Sequence, residues 1–313
     1  MSAQTTSTSG SMGEVRELAT GLQFPEGPIA MPDGSVLLVE IRRGTLSRVP
    51  AGGGEAEVVA EVGGGPNGAA IGPDGAAYVV NNGGFLWSQI GDMQVPFDLT
   101  TMSNQPDDFE GGWVNRVDLE TGEHTVLYRE CEGRRFCGPN DIVFDAAGGF
   151  WFTDFGKMRP READRGSLYY ALPDGSRIVE AARGLHGPNG VGLAPGGERV
   201  YAAETFSGRL LAWDVTAPGV LTNPTPTVVE ATKGHFDSMA VEADGAVVVA
   251  AITDGLCVVQ PDGSGHEYVA APDGFVTNVC FGGDDRQTAY LTFSASGRLA
   301  ACDWPRPGLK LEY

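Results

Sequence analysis

Glu26, Asn67, Asn140, Asn189, Asp237 and Asn278 each end a short loop and lead into a run of small and apolar residues. Their settings are Pro-Glu26-Gly-Pro, Gly-Pro-Asn67-Gly, Gly-Pro-Asn140-Asp, Gly-Pro-Asn189-Gly, His-Phe-Asp237-Ser and Val-Thr-Asn278-Val, separated by 41, 73, 49, 48 and 41 residues. All six side chains carry oxygen, and Glu26 and Asp237 are the two anions among carboxamides. Two carboxylates with neutral amide oxygens balance a divalent charge, which is the donor chemistry of calcium or another oxygen-preferring cation. Taken singly, Asn67-Gly68 and Asn189-Gly190 read as turn formers. The hairpin turns are already supplied by sequences such as Pro32-Asp33-Gly34 and Pro73-Asp74-Gly75, so the repeated residue falls before an inner strand instead. His186 and His235 stand three residues before Asn189 and two before Asp237. Imidazole titrates near neutrality, which makes both candidate proton shuttles.

Six equivalent oxygens need an architecture that brings them to one axis. A period of forty-odd residues is the signature of a radial repeat in which each unit is one small sheet. Runs such as Val36–Val39, Ala76–Val80 and Phe150–Thr153 have strand length and composition, and sustained helical periodicity is absent. The expected fold is therefore all-β: a six-bladed β-propeller with four-stranded blades around a central channel. The first unit reads as strands Gly27–Met31, Ser35–Glu40, Gly44–Val49 and Glu57–Glu61. The sixth begins at Val276 and supplies strands through about Asp303. Val15–Ala19 resembles a fourth strand with no first three before it, so it would complete the last blade; Leu309–Tyr313 competes for the same edge.

One propeller domain is expected over residues 14–313, preceded by a Ser/Thr-rich tail at 1–13 expected to be disordered and lacking the features of a signal peptide. The 73-residue gap marks an insertion, Ser88–Gly111, in the second blade. A loop that long in a compact domain is often functional, and a lid over one end of the channel is the functional expectation.

A formal charge of −20 argues against a nucleic-acid partner and against docking on anionic lipid. No apolar stretch is long enough to span a membrane. Five cysteines without metal-type spacing argue against a thiolate zinc site and suggest a reducing, cytoplasmic compartment. No Gly-x-Ser-x-Gly elbow or phosphate-binding loop is present. The five tryptophans are spread over several blades and read as packing residues.

At these residues the chain resembles the gluconolactonase family, which includes regucalcin (senescence marker protein) and luciferin-regenerating enzymes. The resemblance rests on Phe24-Pro-Glu-Gly-Pro28, Pro139-Asn-Asp-Ile-Val-Phe-Asp145, Gly187-Pro-Asn-Gly190 and Asn278-Val-Cys-Phe-Gly-Gly283. It implies a hydrolase opening a lactone or related cyclic ester, with one divalent metal ion in the channel: calcium foremost, with zinc, manganese or magnesium as alternatives. Carried over by motif, Glu26, Asn140, Asn189 and Asp237 would hold the metal, Asn140 alternatively contacting substrate. Asn67 and Asn278 would line the channel. Asp237 is the expected general base for the attacking water, and Asp141 is read as structural, pointing away. Where regucalcin-like members carry an arginine two residues before the Asn-Asp pair, this chain has Gly138; Arg134 and Arg135 lie further upstream, and Arg135 is the candidate substrate contact. That departure, with the aromatic and Met residues of the insertion, points to a small-molecule substrate larger or less polar than a sugar lactone. Phosphoester hydrolysis, non-hydrolytic chemistry on the same ring and a non-catalytic ligand-binding propeller are the alternatives.

Overall fold

The computed structural model describes residues 12–222, 227–230 and 235–313, with Thr227–Glu230 described by its backbone only. Antiparallel strands of up to nine residues assemble into six blade sheets, beside three two-stranded ones, and no helix is found among the described residues. The first blade runs outward from the axis as Pro25–Ala30, Val36–Glu40, Thr45–Val49 and Glu57–Glu61. The second is Pro66–Ile71, Ala77–Asn81, Trp113–Val117 and His124–Tyr128; the third is Pro139–Phe144, Phe150–Asp154, Gly166–Ala171 and Ile178–Leu185. The fourth is Pro188–Leu193, Arg199–Glu204, Arg209–Ala217 and Thr227–Glu230, with the short strand Val220–Leu221 also paired to Arg209–Ala217.

The fifth blade is Met239–Val241, Val247–Ala250, Leu256–Val259 and His266–Val269. The sixth takes Val276–Gly282, Thr288–Phe293 and Arg298–Asp303 from the C-terminal part of the chain and Arg16–Ala19 from the N-terminal part. Each inner strand touches the inner strands of the blades before and after it, and those of the first and sixth blades touch each other, so the ring is closed.

Six buried clusters follow from that geometry, one at each interface between neighbouring blades. Val39, Leu46, Ala69 and Val79 join the first two blades. Tyr78, Phe144, Phe150 and Phe152 join the second and third, and Trp151, Leu168, Val200 and Trp213 the third and fourth. Strands buried on both faces read as continuous apolar runs, which is why Val36–Glu40, Ala77–Asn81 and Phe150–Asp154 are buried at every residue. Trp151 and Trp304 are fully buried in this packing. All five cysteines are free.

The competition for the last blade is decided in favour of the N-terminal strand. Arg16 pairs with Ala301, Glu17 with Ala300 and Ala19 with Leu299. The C-terminal tail instead crosses the channel end remote from Phe24: Leu309 N–H donates to Val241 O at 2.8 Å, and the Tyr313 ring meets Phe144 edge-on at 5.9 Å. Together with the inner strands it bounds a cavity of about 530 Å³. Most of the tail expected at residues 1–13 lies outside the described residues. Gly13, however, donates its N–H to Asp303 O at 2.9 Å, and Met12 packs against the cluster between the fifth and sixth blades.

Closure by an N-terminal strand makes a definite expectation. Removing residues 1–19 should expose the Arg298–Asp303 edge and lower the thermal midpoint by roughly 5 °C or more. Calorimetry on that truncation, beside one lacking residues 309–313, checks it; an equal or larger loss from the C-terminal truncation would contradict this account of closure.

Candidate metal centre and channel mouth

In four of the inner strands the first residue is a proline (Pro25, Pro66, Pro139, Pro188), a position where the missing N–H costs no ladder bond. Glu26, Asn67, Asn140 and Asn189 follow directly and belong to the strand, as Asn278 does, whereas Asp237 lies two residues before Met239–Val241. The ladder shifts register at each of the five in-strand positions: between Glu26 and Ile29, Pro66 and Gly68, Pro139 and Ile142, Pro188 and Val191, and Val276 and Asn278. Such bulges re-aim side chains. The approach of neighbouring strands is close: a Cβ on Gly68 would stand 2.6 Å from Asn140 O, and one on Gly190 2.8 Å from Met239 N. The glycines after Asn67 and Asn189 are thus required by packing.

Glu26 is 3% exposed and is held by neighbours from across the ring closure. Its Oε2 accepts from Asn278 Nδ2 at 2.9 Å and from Gly27 N–H at 3.1 Å, and its Oε1 from Ser294 Oγ at 3.3 Å. Burial raises the Glu26 carboxyl above its ordinary value, with the hydrogen bonds opposing. Asp237 is raised well above the usual carboxylate range, first by burial and then by the charges of Glu26 and Asp141, against hydrogen bonding from Asn189. Asn189 donates to Thr205 Oγ1 at 3.2 Å and accepts from Ser238 Oγ at 3.4 Å. Asn140 is buried, and its Oδ1 has no hydrogen-bond partner among the described residues.

These observations fit a cation. A buried acceptor oxygen without a donor is costly, and a buried and a half-buried carboxylate that repel each other ionise together readily only beside a positive charge. Glu26, Asn140, Asn189 and Asp237 offer oxygen donors of the type a hard divalent ion takes. Among the described residues there is no group of three or more His, Cys, Asp or Glu side chains placed to hold a metal, so the carboxamides are needed to make up the donor set.

The other expected residues divide. Asn278 spends its amide on Glu26 and accepts from Val279 N–H at 2.8 Å, which makes it a partner of Glu26. Asn67 is buried beside its bulge. His186 and His235 are exposed at the rim, His186 against the Arg165 guanidinium and His235 with Nδ1 3.0 Å from Thr205 O. Arg135 is exposed and donates to Glu110 O at 2.8 Å, tying down the end of the insertion.

Asp141 does not point away as its place in the strand suggested. It is buried, accepts from Val191 N–H of the next blade at 3.1 Å, and feels the charge of Glu26. Burial, then, lifts its carboxyl to about 7. The bulge beside it breaks the simple alternation on which the expectation rested.

One set of residues was missed. Glu40, Asn81, Asp154 and Glu204 close the second strands of the first four blades, each almost fully buried. Each accepts from the loop that delivers a site residue: Glu40 from Gln23 N–H at 2.8 Å, Asn81 from Gly65 N–H at 2.8 Å, and Glu204 from His186 N–H at 2.7 Å. Asp154 accepts from Cys137, Gly138 and Gly156 N–H at 2.8, 2.6 and 3.1 Å. The signal was available, because these acceptors fall 14, 14, 14 and 15 residues after Glu26, Asn67, Asn140 and Asn189. In the fifth blade that place is Ala251, and Asp237 is anchored by its backbone, N–H to Ala250 O at 2.8 Å.

The insertion makes contacts with the sixth and third blades. Its hairpin, Ser88–Ile90 with Met93–Val95, reaches the sixth blade through Gln94 N–H to Ala295 O at 2.9 Å. Asn104 exchanges hydrogen bonds with Met158 of the third blade at 3.1 and 2.8 Å. Trp87 meets Phe24 edge-on at 5.2 Å and, with Phe85 and Met93, packs on Phe24, Ile41 and Ala295. Phe24 is held at φ +58°, an unfavourable conformation for an aromatic residue, two residues before Glu26. Lys157 is 1% exposed, donates to Gly84 O at 2.6 Å and lies over the rings of Phe85 and Phe109 at 4.2 and 4.9 Å. Burial pulls its ammonium down to about 7, against Asp154 and the two rings, which favour the charged form.

Burial raises Asp154 from 3.8 to about 6 despite its three N–H donors. Between those values the folded state binds more protons than the unfolded chain. Its stabilisation is therefore fully present below about pH 4 and lost as pH rises through about 6, a change of about 3 kcal/mol. Asp154→Asn should flatten the stability profile over that window. Urea midpoints at pH 4 and 6.5 measure this, and parallel profiles for the two proteins would refute the assignment.

Comparison with known proteins places the chain in a family and matches its fold. The sequence model of the region described as SMP-30/Gluconolactonase/LRE-like matches residues 24–295. A gluconolactonase of Zymomonas mobilis is 25% identical over 90% of this chain and 79% of its own length. A lactonase, drp35, of Staphylococcus saprophyticus is 30% identical over 49% of this chain, which covers 47% of that protein. Among solved structures, a gluconolactonase of Xanthomonas campestris superposes with a TM-score of 0.72 at 20% identity, over 94% of this chain and 90% of the other; this likeness is one of fold.

Proposed function

The chain belongs to the SMP-30/gluconolactonase/LRE-like family, and on that premise we propose that it is a divalent-metal-dependent hydrolase that opens a lactone or related cyclic ester. The observation that carries the reading is the repulsion between the Glu26 and Asp237 carboxylates, and the partnerless, buried Oδ1 of Asn140 supports it. Glu26, Asn140, Asn189 and Asp237 would hold the cation, calcium by the all-oxygen donor set. Bound there, such an ion supplies Lewis-acid polarisation of a carbonyl oxygen.

The chain's own residues supply the rest. Asp237 takes the proton of the attacking water, a role that suits the carboxylate lying outside the inner strand. Asn278 and Ser294 hold Glu26 and leave it one orientation. Asn67 lines the channel. His186 and His235 stand at the rim, where an imidazole can pass the proton to solvent. The relatives named as lactonases support a small-molecule ester substrate.

Hydrolysis of a lactone panel should be abolished by complete chelation and restored by calcium. Asp237→Asn should lose about 10²–10⁴-fold in kcat with its circular dichroism intact, and Glu26→Gln should lose calcium affinity by calorimetry. Activity that persists after complete metal removal would sink the reading.

The insertion, a lid on this reading, should govern selectivity. Replacing residues 88–111 by a short Gly-Ser link should change the ratio of kcat/KM between lactones by about tenfold or more while the ring stays folded. Unchanged ratios across the panel would reduce the segment to a surface excursion.

A further inference from the structure

Phe206 is a large aromatic side chain left 43% exposed. Its ring packs on that of Phe155 with centroids 5.1 Å apart and planes at 59°. The turn that carries it is fixed, with Thr205 N–H donating to Gly187 O at 2.9 Å and Phe206 N–H to His186 O at 3.3 Å. Gly187 has φ +65°, and a Cβ there would come within 2.7 Å of the Phe206 ring and 3.1 Å of the Phe155 ring. Both rings therefore lie directly over the backbone that delivers Asn189.

The same turn reaches the rest of the site. Thr205 Oγ1 receives Asn189 Nδ2 at 3.2 Å and donates to Phe236 O at 2.6 Å, so one hydroxyl joins the Asn189 and Asp237 loops next to Phe206. Phe155 N–H donates to Gly138 O at 2.8 Å, on the loop that delivers Asn140. The aromatic pair thus borders three of the four oxygen donors by direct chain connection. An aromatic face left in water forgoes the free energy that burial returns, and a rigid face beside a polar site recovers it when an apolar group of a ligand covers it.

We propose that Phe155 and Phe206 form a specificity wall that receives an apolar substituent, so that the site prefers lactones bearing an alkyl chain over unsubstituted and polyhydroxylated rings. The inference takes its reaction from the hydrolytic reading above, but the wall itself is a matter of binding. The test uses γ-lactones of increasing alkyl chain length with calcium-loaded wild type, Phe206→Ala and Phe206→Leu. In the wild type kcat/KM should rise with chain length. Phe206→Ala should lose about tenfold on the longest chain and far less on the unsubstituted ring, with Phe206→Leu recovering most of the loss.

A flat chain-length profile in the wild type, or an equal loss on every lactone, overturns the proposal. Calorimetric binding of the matching alkyl lactams, which resist hydrolysis, separates the two readings. If affinity rises with chain length in the wild type and not in Phe206→Ala, the wall stands even if no lactone is hydrolysed, and the hydrolytic reading falls alone. If chain length brings no affinity, the wall falls.

Discussion

The constraint on which this molecule turns is the convergence of like charges on one axis. Closing six sheets into a ring places Glu26, Asp237 and Asp141 where each feels the others and where water is largely excluded. Removing a carboxylate from water costs on the order of several kcal/mol, and a neighbouring anion adds to that cost. Hydrogen bonds from Asn278, Ser294, Gly27 and Val191 offset part of it. The remainder is a repulsion that a bound cation would relieve, and the buried oxygen of Asn140 is likewise left without a partner.

The rest of the architecture keeps that arrangement from relaxing. Inter-blade clusters hold the sheets face to face, and the N-terminal strand ties the last blade so that the inner strands of the first and sixth blades stay in contact. Within a blade, a buried polar residue at the end of the second strand fastens the loop that delivers the site residue. The bulge at each site residue then turns its side chain relative to the strand. Four blades use a side-chain staple, and the blade that carries Asp237 uses backbone bonds. The residue proposed to handle the proton is thus delivered by a different device from those proposed only to bind.

The proposed selectivity rests on a separate layer. On the first-blade side Phe85 and Trp87, just before the insertion, and Met93 within it pack over Phe24, and Lys157 links Gly84 O to the Phe109 ring. On the opposite side the Phe155–Phe206 pair stands open. On that proposal a polar floor meets aromatic walls at the mouth.

Much of this was legible in the residues themselves. The repeat of Pro-Glu or Pro-Asn before small apolar runs, punctuated by Pro-Asp-Gly turns, is a local pattern, and local pattern is enough to set strands, hairpins and the forty-residue period. It also marks which side chains reach the axis, because proline opens a strand and glycine permits the close approach that follows. The staples at Glu40, Asn81, Asp154 and Glu204 were legible in principle through their constant offset. Only the closed ring decides which of the six polar residues keep company. Asn278 meets Glu26 across 252 residues of chain, Asp141 turns toward the anions through a bulge, and Phe155 finds Phe206 from a neighbouring blade. Charge repulsion, desolvation and ring contact act between residues that touch in space. The sequence by itself determines the blades and their axis, whereas the meeting of one blade with another, and hence the chemistry at the centre, exists only after closure.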